Sequence, residues 1–210
     1  MRDRIVQATA TVFARTGSRG SSVAQIIEQA GLSRPTFYRY FANATEPLHA
    51  VLEASNAGLV GGIAYALQAP GEGVDLGIRL IDAYLDWARG HGTMLRPLFA
   101  ELYDPASPVS AYRNEALDGI RAIVRTKFAE LGRAAPAALD LDAALHICEY
   151  VVYRISAAAD PGAEPDPDTI AAARTTMIRV VLATLGTIDD VHYAMNLPGI
   201  FPPADSPESG

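Results

Sequence analysis

Apolar residues recur every three or four positions along almost the whole chain, from Ile5 to Leu185. This spacing places them on one face of an α-helix, whereas a strand would need apolar and polar residues to alternate. Beyond Thr45 the sequence has no strand-length alternation bounded by turn residues. The sequence therefore predicts an all-α fold of about nine helices.

The N-terminal segment divides into three short helical stretches. Gly17 is predicted to end the first stretch, and Ser21 or Ser22 is placed to cap the second, which stops at Gly31. Ser33 can then cap a short third helix. Two helices joined by a tight turn that contains glycine indicate a helix-turn-helix DNA-binding domain, which we assign to residues 1–45.

The third helix has an inward and an outward face. Phe37 and Phe41 fall on the inward face. The outward residues are Arg34, Thr36, Tyr38, Arg39 and Tyr40. Arginine can bond guanine through two donors, and threonine and tyrosine hydroxyls can reach bases or phosphates. A purely structural hairpin would instead be expected to carry Glu and Lys on its solvated face.

Charge is divided unevenly along the chain. Residues 1–48 carry six arginines against three acidic residues, whereas residues 49–210 carry 11 basic and 21 acidic residues. The N-terminal quarter is therefore basic, although the net charge of the whole chain is −7. Such asymmetry is expected when one segment meets phosphates and the remainder does not.

The N-terminal segment contains Phe13, Gly17 and the run Ser22-Val-Ala-Gln-Ile-Ile-Glu-Gln-Ala-Gly-Leu-Ser-Arg-Pro-Thr-Phe-Tyr-Arg-Tyr-Phe41. This pattern resembles the signature of the TetR family of repressors. It covers about the first fifty residues and implies an all-helical homodimer with an inducer pocket. The family's DNA-contacting positions in the third helix fall on Arg34, Pro35, Thr36, Tyr38, Arg39 and Tyr40, and Ser22 matches a backbone-contacting position. With Ser33, these residues form the predicted DNA-binding set.

One position departs from the family pattern. A basic residue after Phe41 usually leads the fourth helix and grips a phosphate, whereas this chain has Ala44 and Thr45 there. Thr45 is instead a candidate cap for the fourth helix. That phosphate contact is therefore not carried over to this chain.

Residues 46–188 are predicted to form a larger helical domain for ligand binding and dimerisation. Its last two helices are apolar nearly all round, which requires burial on two sides. A homodimer supplies the second side by forming a four-helix bundle, where the resemblance also puts the interface. The predicted interface residues are Leu145, Val152, Ile155, Met177, Val181 and Leu185. Residues 189–210 contain four prolines and are predicted to be an irregular C-terminal tail.

Aromatic residues with polar tips are concentrated in the larger domain, and such residues suit an apolar cavity that must orient its guest. The predicted ligand-binding residues are Tyr65, Tyr84, Trp87, Phe99, Tyr103, Tyr112, His146, Glu149 and Tyr150. Ordinary core packing is the alternative for any single tyrosine. His146, Glu149, Tyr150 and Tyr153 share a helix face, so they face either the pocket or the dimer interface.

Several classes of protein are excluded by what the sequence lacks. No apolar run is long enough to span a membrane, and the N-terminus has no secretory pattern, so we expect a cytoplasmic protein. No phosphate-binding glycine loop occurs, and the His-Glu pairs are isolated. We therefore predict no enzyme activity, no cofactor and no metal, and we interpret Cys148 as a buried small hydrophobe.

These features together predict a ligand-responsive transcriptional regulator, most simply a repressor. It would bind a palindromic double-stranded DNA operator as a homodimer and be released by a small, largely apolar effector. The alternative is a helical dimeric DNA-binding or interaction protein with no small-molecule effector. The sequence does not identify the operator or the effector.

Overall fold

The computed structural model describes residues 1–71, 73–159 and 165–201. Within these ranges it contains ten α-helices, one short 3-10 helix (Gly92–Met94) and no strand. The helices are α1 (Arg2–Gly20), α2 (Val23–Ala30), α3 (Arg34–Tyr38), α4 (Thr45–Ala66), α5 (Gly73–His91), α6 (Leu95–Glu101), α7 (Pro108–Glu130), α8 (Ala138–Ala158), α9 (Pro167–Leu185) and α10 (Ile188–Met195). The predicted all-α fold is confirmed, with one helix more than the sequence indicated.

Local side-chain chemistry sets the boundaries of the first three helices. Gly17 has φ 68°, which kinks α1 where the sequence predicted its end. Ser22 caps α2 in a reciprocal arrangement with Gln25, and Gly31 ends α2 in the left-handed conformation. Ser33 caps α3 by accepting from the backbone N–H of Thr36 at 3.3 Å.

The first three helices share a small hydrophobic core of their own. Ile5 and Val12 from α1 meet Ile26 from α2, and all three are fully buried. Phe37 and Phe41 complete this core, with ring centroids 6.1 Å apart. Their burial fixes which face of α3 is turned away from the protein.

Helix α4 leads from the N-terminal helices into the larger body and is continuous over its 22 residues. Its first amides donate to the side-chain oxygen of Asn43, from Thr45 at 2.9 Å and from Glu46 at 3.0 Å. The expectation that Thr45 caps this helix is therefore wrong. An asparagine two residues earlier already accepts both hydrogen bonds, so Thr45 becomes the first helical residue.

The body packs around α4, which contacts α1, α5 and α7, while α8 packs along α9 and α9 also packs on α5. Its core includes the fully buried side chains of Leu52, Ile63, Ile81, Leu141 and Met177. No helix in the described part of the chain is long and apolar enough to cross a membrane.

Three predicted dimer-interface residues lie in the core of a single subunit. Val152 and Met177 have no exposed surface, and Val181 is 7% exposed. These side chains are buried where α8 packs against α9 and where α9 packs against α5, so they cannot contact a second subunit. Leu145, Ile155 and Leu185 are half-buried. Helical periodicity identified these helices as apolar on several sides but could not tell which side faces inward.

The region after α9 is not entirely irregular, which corrects the prediction for residues 189–210. Thr187 and Asp190 form a capping box that starts α10, with Thr187 accepting from the Asp190 amide at 3.1 Å. Beyond α10, Ile200 is buried, and the guanidinium of Arg179 lies 5.6 Å from the ring centroid of Phe201. Residues 202–210 fall outside the described part of the chain.

Candidate DNA-binding surface and ligand cavity

The outward face of α3 presents most of the predicted DNA-binding set to solvent. Arg34, Pro35, Tyr38, Arg39 and Tyr40 are exposed. Phe37 is 1% exposed and sits edge-on to Tyr38, with ring centroids 5.5 Å apart. Because the phenylalanine anchors the helix, the arginines and tyrosines stand on the accessible side.

The serine and threonine members of the predicted set have structural roles as well. The hydroxyls of Ser33 and Thr36 are 2.9 Å apart, and Thr36 is half-buried. Ser22 is exposed at the start of α2, and its hydroxyl is hydrogen-bonded to the Gln25 side chain at 2.7 Å. These residues therefore lie at the N-termini of α2 and α3, where backbone amides suit contacts with phosphate.

A cavity lies in the body, lined by residues of α4, α5, α6, α7, α8 and α9. The volume of the cavity that the centre of a water molecule can occupy is about 80 Å³. Aliphatic side chains form most of the wall, among them Leu52, Leu59, Ile63, Leu80, Ile81, Leu98, Leu102, Val109, Leu117, Ile120, Val124, Leu141, Leu145, Val181 and Leu185. Five predicted ligand-binding residues also line it, namely Tyr84, Trp87, Phe99, Tyr112 and Glu149.

The other four predicted ligand-binding residues do not line this cavity. Tyr65 is 77% exposed on α4, and Tyr150 is 59% exposed on α8. Tyr103 is 67% exposed and lies behind the wall, where its hydroxyl is 3.4 Å from Glu149. The ring of His146 is turned back onto its own helix, 2.6 Å from the carbonyl oxygen of Asp142. Of the four polar residues on the shared α8 face, Glu149 alone lines the cavity, while Tyr150 and Tyr153 point to solvent.

A buried ion pair forms the polar end of the cavity. Arg113 donates from Nε to Oε1 of Glu149 at 2.9 Å and from Nη2 to Oε2 at 2.6 Å. The two side chains are only 9% and 11% exposed. The Arg113 guanidinium also lies 4.5 Å from the ring centroid of Tyr103. Sequence reasoning missed Arg113, because it is 36 positions away from Glu149 and no local signal links the two.

The groups beside this ion pair are held in their uncharged forms. Burial, and next the charge of Glu149, raise the pKa of the Tyr84 hydroxyl well above its ordinary value. Burial and the same carboxylate raise the pKa of the Cys148 thiol to about 12. Cys148 lines the cavity, yet its thiol is not a nucleophile at neutral pH.

The α4 and α5 side of the cavity is tied together by the Trp87 indole. Its Nε1 donates to the backbone carbonyl of Ser55 at 3.0 Å, and its ring stacks on Tyr84 with centroids 5.7 Å apart. The His91 ring bridges the same two residues, with Nδ1 2.7 Å from the Trp87 carbonyl and Nε2 2.9 Å from the Ser55 hydroxyl. A carbonyl can only accept, so Nδ1 carries the proton and Nε2 accepts from Ser55. Burial lowers the pKa of His91, which favours this neutral ring.

The α4 and α7 side is tied by Tyr112. Its hydroxyl lies 3.0 Å from Nδ1 of His49 and donates to Glu53 at 3.3 Å. The side-chain amide of Asn56 donates to the Tyr112 carbonyl at 2.7 Å. Because of these hydrogen bonds, the polar side chains of α4 on this side of the cavity already have partners within the protein.

The end of α6 joins the cavity wall to the N-terminal helices. Leu98, Phe99 and Leu102 line the cavity, while Glu101 of the same segment accepts from the backbone N–H of Ser18 at 2.8 Å. Ser107 donates to the other Glu101 oxygen at 2.5 Å. Nothing in the sequence singled out this contact, since Ser18 and Glu101 are 83 residues apart.

A second ion pair crosses the same junction. Arg19 contacts Asp104 at 2.7 Å, but the Arg19 side chain is 73% exposed. Such an exposed pair contributes little to stability. The Glu101 hydrogen bonds are therefore the stronger polar link between the two parts of the chain.

An exposed third helix on a small basic segment, joined to a helical body with a cavity, is the arrangement expected of a helix-turn-helix regulator of transcription. Residues 5–51 match the family described as bacterial regulatory proteins, tetR family. The N-terminal domain of the chain therefore belongs to the tetR family of bacterial regulatory proteins. This assignment supports the prediction of a regulator rather than an enzyme.

Solved structures of similar fold extend over nearly the whole chain. The fatty acid degradation regulator FadR from Bacillus halodurans has a TM-score of 0.68 and 18% identity, covering 88% of this chain and 95% of that one. FadR from Bacillus subtilis, solved with stearoyl-CoA, has a TM-score of 0.66 and 18% identity, with coverages of 89% and 100%. PfmR from Thermus thermophilus has a TM-score of 0.63 and 22% identity, with coverages of 87% and 99%. No curated protein matches the sequence.

Proposed function

We propose that this protein is a repressor that binds a palindromic operator as a homodimer and leaves it when a small, largely apolar effector enters the cavity. The observation that carries the proposal is the double role of the α6 segment. Leu98, Phe99 and Leu102 form part of the cavity wall, and Glu101 between them holds the Gly17 kink region of α1. A ligand that moves this segment must also act on the DNA-binding helices.

DNA binding is supported by the exposed face of α3 and by the basic N-terminal quarter. In this proposal Arg34 and Arg39 read bases in the major groove, and Thr36, Tyr38 and Tyr40 contact bases or phosphates. Ser22 and Ser33 contact the DNA backbone from the starts of α2 and α3. Pro35 packs its ring against the groove wall or a thymine methyl.

Dimerisation is supported by apolar side chains that one subunit leaves exposed on α8. Ile147 is 37% exposed, Tyr150 is 59% exposed and Tyr153 is 42% exposed. We propose that this outer face of α8, with the outer face of α9, packs against the same face of a second copy. A two-fold dimer would place two copies of α3 on successive major grooves, which is why the operator should be palindromic.

An apolar effector is supported by the walls of the cavity. Its lining is dominated by aliphatic and aromatic side chains, and its two charged groups, Arg113 and Glu149, are paired with each other. The Bacillus subtilis FadR of similar fold binds stearoyl-CoA in its structure, so a body of this fold can accommodate an apolar chain. The free space here is narrow, so we expect a smaller guest or a cavity that widens on binding.

Release requires only that the effector prefer the conformation that does not bind DNA. A 100-fold loss of operator affinity corresponds to a differential binding free energy of about 2.7 kcal/mol. Burying roughly 110 Å² of additional apolar ligand surface in one conformation supplies that amount at about 25 cal/mol per Å². A ligand of modest size is therefore sufficient.

The proposal is tested by selecting DNA that the protein retains from random genomic fragments, then titrating the enriched sequence with purified protein. Neutral apolar compounds that raise the melting temperature and change Trp87 fluorescence would next be added to the complex. We expect a palindromic sequence, binding as a dimer, and release by compounds that fill the cavity. Operator binding that no cavity ligand alters would favour the alternative of a regulator without a small-molecule effector.

A further inference from the structure

The Tyr84 hydroxyl is a buried hydrogen-bond donor inside the cavity. Tyr84 is 8% exposed and lines the cavity wall. Among the described residues its hydroxyl has no hydrogen-bond partner. Burial raises the pKa of this hydroxyl most, and the charge of the nearby Glu149 carboxylate raises it further. The hydroxyl oxygen keeps some accessible surface, so an acceptor bound in the cavity can take its hydrogen bond.

The other strong donors along the wall are already engaged. The Trp87 indole donates to Ser55, and the Asn56 amide donates to Tyr112. The Tyr112 hydroxyl is shared between His49 and Glu53. A ligand acceptor that enters the cavity therefore finds its partner at Tyr84.

The Arg113 guanidinium is not free to receive an anion. Nε and Nη2 both donate to Glu149, Nη2 also reaches the Tyr103 hydroxyl at 3.3 Å, and Nη1 donates to Asn114 at 3.3 Å. A ligand carboxylate would have to displace Glu149, which would leave that carboxylate buried without its partner. It would also meet the negative charge of Glu149 at short range.

The size of the free space limits the guest. The cavity's 80 Å³ is well below the roughly 300–1,000 Å³ of typical ligand pockets, so the guest is a small molecule. The apolar walls require that most of the guest's atoms be carbon.

We infer that the effector is an uncharged, mostly hydrocarbon molecule with a carbonyl-type acceptor that the Tyr84 hydroxyl binds. Tyr84 is thus a specificity-determining residue, and Arg113 paired with Glu149 acts as a barrier to acids and phosphates. This inference rests on the proposed function, because it names the ligand class of the same cavity. A ligand with a charged head group would have to keep that group outside the cavity.

Three compounds with the same number of non-hydrogen atoms separate the possibilities: acetophenone, its hydrocarbon analogue α-methylstyrene, and benzoate. Each is titrated into the full chain at neutral pH in a calorimeter, without DNA. We expect acetophenone to bind about 3- to 10-fold more tightly than α-methylstyrene, the ratio that one neutral hydrogen bond gives. Benzoate should bind on the order of 100-fold more weakly than acetophenone, because its charge would be buried without a partner.

Two tyrosine variants make the assignment specific. Tyr84→Phe should abolish the advantage of acetophenone and leave α-methylstyrene unchanged. Tyr193→Phe is the control, since Tyr193 is 55% exposed on α10 and does not line the cavity, and it should preserve the advantage. Melting curves establish that both variants are folded.

The inference is overturned if acetophenone does not bind, if benzoate binds as tightly, or if Tyr84→Phe keeps the ketone advantage. These results concern the cavity alone and leave operator binding unaffected. Conversely, if acetophenone binds through Tyr84 but never alters operator affinity, the ligand class is right and the proposed release mechanism is wrong. The two failures are therefore distinguishable.

Discussion

The backbone N–H of Ser18 donates to Oε1 of Glu101 at 2.8 Å, across the junction between the N-terminal helices and the body. Ser18 follows Gly17, whose φ of 68° interrupts the helical conformation of α1. A β-carbon at position 17 would lie 2.5 Å from the same Glu101 oxygen. Glycine is therefore required here both for its backbone conformation and for the close approach of the carboxylate.

Glu101→Ala should weaken both stability and the response to ligand. It leaves the Ser18 amide without its acceptor and removes the acceptor for Ser107, so we expect the free energy of unfolding to fall by about 1–3 kcal/mol. Operator binding with and without a cavity ligand should also differ less than in the wild type. Urea denaturation and operator titration measure the two effects.

Arg19→Ala is the control at the same junction. Because its ion pair with Asp104 is largely exposed, the loss should be below about 1 kcal/mol and the ligand response should be retained. Equal effects from the two variants would show that Glu101 has no special role in coupling.

Arg34→Ala should reduce specific operator binding by roughly 1–3 kcal/mol, because a bidentate contact to guanine would be lost. Arg125→Ala offers a matched control, since that arginine is exposed on α7, far along the chain from α3. Fluorescence anisotropy with the selected operator and with a scrambled duplex separates specific from general binding. An unchanged operator affinity in a folded Arg34 variant would contradict the assignment.

Ile147→Glu and Val152→Glu should fail in different ways. Ile147 is exposed on the outer face of α8, so a charge there should yield folded monomers if this face forms the dimer. Val152 has no exposed surface, and a charge there should unfold the subunit. Light scattering gives the mass, and circular dichroism gives the helix content. A dimer that persists in Ile147→Glu at micromolar concentration would place the interface elsewhere.

His91 should make stability depend on pH in mildly acidic solution. Its pKa is lowered by burial, so the unfolded chain takes up a proton before the folded chain does. The stability associated with the neutral ring is therefore present above the unfolded pKa of about 6.5 and is lost as pH falls through the folded value. Urea unfolding across this range should show a decline that His91→Gln reduces. A parallel decline in both proteins would assign the effect to other groups.

The N-terminal helices and their exposed face were predictable because their signals are local. A serine with a partner three residues later, a glycine at a helix end and two phenylalanines one turn apart each determine structure within a few residues. The same local reasoning failed at Asn43, where an asparagine before the expected cap made the hydrogen bonds instead. It also missed α10, because the prolines that follow suggested irregular structure.

The cavity was only half predictable, since it depends on which side of each helix faces inward. Tyr84 and Trp87 are both on α5 and line the cavity, whereas Tyr65 and Tyr150 have the same side-chain chemistry but face solvent. The partner of Glu149 lies on another helix, so no spacing rule pointed to Arg113. Val152 shows the same difficulty for the dimer, because an apolar residue on α8 suits a subunit core as well as an interface.

The central claim is that ligand binding in the cavity and DNA binding by α3 are energetically coupled. Its most direct test is to measure operator affinity with and without a saturating cavity ligand, and ligand affinity with and without saturating operator. The account predicts that each weakens the other by the same factor, as linkage requires, with a decrease on the order of 100-fold. A ligand that saturates the cavity, confirmed by Trp87 fluorescence, and leaves operator affinity unchanged would contradict it.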